Sequence, residues 1–109
     1  MFLKTHLVKR ITFGFASAIA LFPFVLVRTN TRLKSSLVRH EKIHLKQQIE
    51  MLVIPFFIAY VFEYTIRRIY YKSHYLAYKN ISFEREAYEN EKNPLYLTQR
   101  KPYSWLKYY

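Results

Sequence analysis

Residues 35–72 contain no glycine, and Pro55 is the one residue in this stretch that interrupts a continuous helix. Ser35 or Ser36 can cap the start of the helical run with its hydroxyl oxygen. Proline lacks the N–H that a helix interior needs, so the run should kink or break near residues 51–54. The sequence therefore predicts two consecutive helices separated by a bend, and a mainly α fold.

A further short helix is predicted over residues 81–93, ISFEREAYENEKN. Ser82 can cap it, and Glu84 and Glu86 fall in its first turn, where the helix dipole favours negative charge. The connector over residues 73–80 gives the chain room to fold back after the long helical run. We therefore expect a helix hairpin that brings the glutamate-rich segment beside the first helix.

The first 34 residues carry an apolar stretch, ITFGFASAIALFPFVLV, between two basic tracts. As a helix of about 1.5 Å per residue, residues 11–27 would barely cross a bilayer core of about 30 Å. The start also resembles a secretory signal, although no convincing cleavage site follows. In a third interpretation, residues 14–20 form a short helix or turn and FPFVLV forms an edge strand. We expect a membrane-associated head over residues 1–34 and a helical part over residues 35–109 of a single domain.

The composition restricts both the metal chemistry and the partners that the chain can have. There is no cysteine, so any metal ion must be bound by histidine and glutamate. The formal net charge is +11, and 19% of the residues are aromatic. Because the basic residues bracket apolar runs and no nucleic-acid-binding motif is present, we expect attraction to lipid headgroups and not to nucleic acid.

The segment HEKIH places His40, Glu41 and His44 within five residues. Residues four apart share a helix face, so both imidazoles can be directed at one point. This spacing lets two histidines bind zinc while the glutamate between them acts as general base toward a zinc-activated water. A catalytic zinc also needs a third protein ligand. The later segment SFEREAYENE offers four glutamates for that role, namely Glu84, Glu86, Glu89 and Glu91.

HEKIH and EREAY together resemble the gluzincin metallopeptidases, especially the membrane-associated CAAX prenyl protease and HtpX type and their minimal relatives. In that group the helix after the histidine helix carries Glu-x-x-Ala-Asp, and its glutamate is the third zinc ligand. The resemblance, which covers about residues 37–91, implies Glu84 as that ligand and Glu86 as a reserve. It puts Tyr88 where the family has an aspartate that orients a ligand. Small bacterial proteins with an FEREAY-like segment are also similar, which makes the bacterial inner membrane the expected location.

Two other polar residues near the motif have candidate roles. Gln47 lies on nearly the same helix face as His40 and His44, so it can hydrogen-bond a ligand from the second shell, contact substrate, or simply be exposed. His74, in the connector, could donate a hydrogen bond to an oxyanion, although a lone loop histidine usually has no such role.

The sequence thus predicts a membrane-associated zinc metallopeptidase that hydrolyses peptide bonds in a peptide or protein substrate. The alternative is a catalytically inactive membrane subunit or scaffold of a larger complex, because 109 residues leave little chain from which to build a cleft. A third interpretation leaves His40 and His44 as ordinary exposed helix residues. A peptidase requires Glu41 for activity, whereas a scaffold should tolerate its replacement.

Overall fold

The computed structural model describes residues 2–5, 18–29 and 32–109. The predicted mainly helical fold is confirmed, and a small three-stranded sheet accompanies the helices. The strands are β1 (Phe2–Lys4), β2 (Ala18–Leu21) and β3 (Phe24–Val27). The helices are α1 (Ser35–Met51), α2 (Val53–Tyr70), α3 (His74–Lys79), α4 (Ser82–Asn90) and α5 (Tyr96–Gln99), followed by a 3-10 helix (Ser104–Tyr108).

The break between α1 and α2 falls at Leu52, and the helix direction bends there by 111°. Pro55 becomes the third residue of α2, where its missing N–H would have had no partner within the helix. The predicted break near residues 51–54 is therefore confirmed. The predicted serine cap is wrong, because α1 begins after Lys34 and no side chain caps its first turn.

The FPFVLV segment forms a strand, as one interpretation of the sequence expected, but it is not an edge strand. β3 is the central strand of the described sheet, with β1 parallel on one side and β2 antiparallel on the other. Phe22 and Pro23, joined by a cis peptide bond, form the turn between β2 and β3. The edge position was wrong because the partner strand at residues 2–4 is remote in sequence and has no strand signal of its own.

The sheet packs on α1 through a small apolar core. Val25 and Val27 of β3 are fully buried with Ala20 of β2, and Leu45 of α1 packs against them. Gln48 adds a polar contact, because its amide donates to Ala20 O at 2.8 Å and accepts from Phe22 N at 2.7 Å. These contacts fix the rotation of α1 and so determine which way its neighbouring polar residues face.

A second core joins α2 to α4 and the C-terminal 3-10 helix. Phe56 of α2, Ile81 and Phe83 are buried together, and Trp105 packs on Phe83 with ring centroids 4.6 Å apart. This core determines where α4 lies relative to the first two helices, so it also positions the glutamates that α4 carries.

In the part of the chain that the structure describes, no single helix has both the length and the apolar character needed to cross a bilayer; α1 and α2 have both only when taken together across their bend. The apolar stretch at residues 11–27 is described from Ala18 onward, and there it forms β2 and β3 and not a helix. The short helix or turn expected at residues 14–20 is likewise replaced by strand from Ala18, and residues 14–17 lie outside the described ranges.

Candidate metal centre

The two histidines of α1 and one glutamate of α4 converge on a single point. His40 Nε2 lies 3.2 Å from Glu84 Oε1, and His44 Nε2 lies 3.1 Å from the same oxygen. One ligand atom from each of the three residues falls within 4.8 Å of the others, and all three side chains are buried. The i, i+4 spacing therefore aligns the imidazoles as the sequence predicted, and Glu84 is the glutamate of α4 that faces them.

Each histidine is held by a hydrogen bond at its outer ring nitrogen. His40 Nδ1 lies 2.8 Å from Glu91 Oε1, and His44 Nδ1 lies 2.8 Å from Gln47 Oε1. An acceptor at Nδ1 fixes the Nδ1–H tautomer and leaves Nε2 directed at the convergence point. Gln47 thus hydrogen-bonds His44, one of the roles that its place on the helix face suggested. Glu91, which the sequence offered only as one of four glutamates, plays the same part for His40.

Burial and charge act in opposite directions on the ionisation of the two central residues. Burial favours neutral His44 and would lower its pKa, but the Glu84 carboxylate outweighs this effect and raises the pKa to about 9. Burial would raise the pKa of Glu84, but His44 and the hydrogen bonds from both histidines hold it well below its usual range. Without a metal ion, the cluster is thus held together by an ion pair between the His44 imidazolium and the Glu84 carboxylate.

Glu41 lies beside this cluster and is itself buried. Its Oε2 is 4.0 Å from His40 Nε2, and the side chain is only 7% exposed. Burial raises the pKa of Glu41, although the charges of His44 and His40 oppose the shift. A carboxylate with a raised pKa that lies next to two imidazoles is well placed to accept a proton near the convergence point.

The second oxygen of Glu84 is occupied by a tyrosine that the sequence did not indicate. The Tyr60 hydroxyl donates to Glu84 Oε2 at 2.7 Å. Burial, and then the Glu84 charge, raise the pKa of Tyr60 well above its usual value, so the phenol keeps its proton and remains a donor. This contact could not be predicted from the sequence, because it joins residues on two different helices, Tyr60 on α2 and Glu84 on α4.

A buried glutamate of α2 anchors the start of α4. Glu63 Oε1 accepts from the backbone N–H of Ser82 at 2.8 Å, and Glu63 Oε2 accepts from the Ser82 hydroxyl at 2.7 Å. Ser82 is the first residue of α4 and does not cap it with its own side chain, so the predicted cap is replaced by a tertiary contact. Glu84 follows two residues later, and its position therefore depends on this anchor.

Glu86, the reserve ligand, belongs to a separate buried network. Its carboxylate accepts from Gln47 Nε2 at 3.0 Å, from the Tyr96 hydroxyl at 2.6 Å and from Arg100. Arg100 also pairs with Glu50 of α1 at 2.6 Å. Glu86 thus links the C-terminal residues Tyr96 and Arg100 to α1 and α4. Its carboxylate is not one of the three converging ligand atoms.

Tyr88 touches a candidate ligand through its ring and not through its hydroxyl. The ring packs edge-on against His40 with centroids 4.4 Å apart, while the hydroxyl lies 2.9 Å from that of Tyr78. The carboxylate contact expected from the resemblance is made instead by Glu91, one helical turn further on. His40 is therefore held by the ring of Tyr88, which packs against it, and by the carboxylate of Glu91, which lies at its Nδ1.

His74 lies at the start of α3, is exposed, and has its Nδ1 2.6 Å from the Tyr64 hydroxyl. Among the described residues, the group that could hold a metal ion comprises only His40, His44 and Glu84, so His74 does not belong to it.

The cluster offers two imidazole nitrogens and one carboxylate oxygen, and each imidazole has a hydrogen-bond acceptor at its Nδ1. This donor set is suited to zinc. Comparison with protein-family models, with curated proteins and with solved structures found no match to this chain.

Proposed function

We propose that this chain is a zinc-dependent hydrolase of the metallopeptidase type. His40, His44 and Glu84 would bind the metal, and Glu41 would be the general base. The observation that carries the proposal is the convergence of three buried ligand atoms within 4.8 Å, with a second buried carboxylate, that of Glu41, beside them. The proposal is also supported by the meeting in the fold of the two short motifs, HEKIH and EREAY, that carry the resemblance to gluzincins.

The choice of zinc follows from the donor set. Imidazole nitrogens disfavour magnesium and calcium, which prefer an all-oxygen shell, and the lack of cysteine disfavours the soft metals that thiolates select. Three protein ligands leave one position open in a tetrahedral site, as in catalytic zinc centres. When bound, zinc supplies a Lewis acid that polarises a carbonyl and lowers the pKa of a water molecule.

The surrounding side chains have separate tasks in this proposal. Glu41 accepts the proton from the attacking water and passes it to the leaving amine. Gln47 and Glu91 keep the two imidazoles in the tautomer that presents Nε2. Tyr60 holds one oxygen of Glu84, so that the other is directed toward the histidines. Gln47, Glu91 and Tyr60 each act through a hydrogen bond of 2.7 to 2.8 Å that is buried or half-buried.

Glu41→Gln is the test that separates hydrolysis from metal binding. The amide is nearly the same size as the carboxylate but cannot act as a base, so zinc should still bind while hydrolysis of a mixed peptide library falls by about a hundredfold or more. The exposed Glu89→Gln is the matched control and should keep both properties. Equal hydrolysis by wild type and Glu41→Gln would contradict the general base. Zinc binding without any hydrolysis by wild type would favour the scaffold alternative.

A further inference from the structure

One side of α2 exposes a continuous apolar face. Its members recur at helical spacing, so they lie on one stripe along about four turns. Each is between 45% and 79% exposed: Ile54, Ile58, Val61, Phe62, Ile66 and Ile69. Thr65 lies among them, but its hydroxyl donates to Val61 O at 2.8 Å and so turns its hydrogen back to the backbone. We call this set the α2 apolar face.

The opposite side of α2 faces the protein interior. Phe56 and Glu63 are buried there, and Tyr60 reaches Glu84 from the same side. The helix is therefore fixed by its inner face, whereas the α2 apolar face is left largely exposed to solvent. Scattered exposed apolar side chains are normal, but a continuous stripe of six large ones along one helix indicates an interaction surface.

The distribution of charge identifies the partner. Of the seven carboxylates, six contact a histidine, an arginine or a serine within the protein, namely Glu41, Glu50, Glu63, Glu84, Glu86 and Glu91. Many of the lysines and arginines, by contrast, are exposed. Negative charge is thus directed inward and positive charge outward, so the surface of this chain with a net charge of +11 is strongly basic.

Basic and aromatic residues adjoin the C-terminal end of the α2 apolar face. Arg68, Tyr70 and Lys72 are exposed at its C-terminal end. At its other end Leu52, at the bend before α2, is also exposed. Arginine, lysine and tyrosine beside an apolar stripe are typical of a helix that lies in the headgroup region of a bilayer.

We infer that the α2 apolar face docks the protein onto an anionic lipid surface, with α2 lying parallel to the membrane plane. The apolar side chains enter the boundary between headgroups and acyl chains, and the flanking cations contact lipid phosphates. The inference does not depend on the metal, because the residues of the candidate metal centre are buried while every member of the α2 apolar face is exposed to solvent.

Vesicle co-sedimentation of the full chain tests this inference. Wild type should bind vesicles that contain phosphatidylglycerol more tightly than vesicles of phosphatidylcholine alone, and added salt should weaken the binding. Ile58→Gln/Phe62→Gln removes two apolar anchors without changing the charge and should weaken binding by about tenfold or more. Leu95→Gln/Leu106→Gln removes two equally exposed leucines outside the face and should bind like wild type.

Three results would overturn the inference. The first is unchanged vesicle binding by Ile58→Gln/Phe62→Gln, and the second is no vesicle binding by wild type, in both cases with circular dichroism showing that the protein is folded. The third is a wild-type dimer in analytical ultracentrifugation that Ile58→Gln/Phe62→Gln abolishes while vesicle binding is unaffected, which would assign the face to a second copy of the chain. None of these results would bear on zinc binding, so failure here is distinguishable from failure of the proposed hydrolase.

Discussion

At the scale of single residues, the candidate centre is a set of paired polar groups in which each ligand has a second partner. His40 is held by Glu91, His44 by Gln47 and Glu84 by Tyr60. The spacing of the histidines could be predicted because it depends only on helix periodicity. The partners from other helices could not, because nothing local in the sequence marks which tyrosine or glutamate will reach across the fold.

Replacing Tyr60 by phenylalanine tests whether the second oxygen of Glu84 matters to the metal. The change removes one hydroxyl and keeps the ring, so we expect zinc affinity to fall by about 10-fold to 100-fold, as for other outer-shell partners. Competition with a chromophoric chelator measures this affinity. Tyr64→Phe is the control, because it removes a hydroxyl from the same helix that contacts His74 instead. An equal affinity in both variants would contradict a positioning role for Tyr60.

The metal-free protein should lose stability as the pH rises through the alkaline range. The pKa of His44 is raised from 6.5 to about 9, so its protonation stabilises the fold fully below pH 6.5 and is lost as the pH passes about 9. The lowered pKa of Glu84 makes its contribution present above pH 4.5. The free energy of unfolding should therefore be highest between pH 4.5 and pH 6.5. It should then decrease by about 3 kcal/mol at most as the pH rises to about 9.

Urea unfolding in the presence of a chelator measures this profile. His44→Gln cannot be protonated in this range and should show a much flatter profile between pH 6 and about 9. Zinc should reverse the trend, because it needs neutral His44 and competes with the proton more successfully as the pH rises. A metal-free wild type that becomes more stable over the same range would contradict the ion pair between His44 and Glu84.

At the scale of elements, two polar residues, Glu63 of α2 and Gln47 of α1, help to hold α4 in the position that forms the site. Glu63 anchors the first residue of α4, and Gln47 donates to Phe83 O at 3.0 Å and to Glu86 at 3.0 Å. The helices themselves and the break before Pro55 could be predicted from glycine, proline and the apolar pattern. The place of the FPFVLV strand in the sheet could not, because strand order depends on pairing between segments remote in sequence.

Glu63→Met tests the anchor of α4. The substitution keeps a long side chain but leaves the Ser82 N–H and hydroxyl buried without their acceptors, so we expect a loss of about 2 kcal/mol or more in the free energy of unfolding. Chemical denaturation with far-ultraviolet circular dichroism measures it. Glu89→Met makes the same change at an exposed position of α4 and should cost little. Equal losses in the two variants would show that Glu63 does not anchor α4.

At the scale of the whole molecule, the candidate metal centre lies on the inner side of α2 and the α2 apolar face lies on its outer side. The inward placement of the carboxylates links the two features, since it concentrates anionic ligands inside and leaves the surface basic. The net charge of +11 could be read from the composition. Only the fold shows that six exposed apolar residues of α2 share one face while His40, His44 and Glu84 meet in a buried cluster.

Elemental analysis of the purified protein, after zinc loading and dialysis, tests the central claim most directly. Wild type, Glu89→Gln and His74→Gln should retain about one zinc per chain, because neither control residue belongs to the cluster. His44→Gln and Glu84→Gln, which each remove one ligand, should lose it while remaining folded. A wild type without zinc, or His44→Gln and Glu84→Gln proteins that retain as much zinc as the controls, would contradict the metal centre.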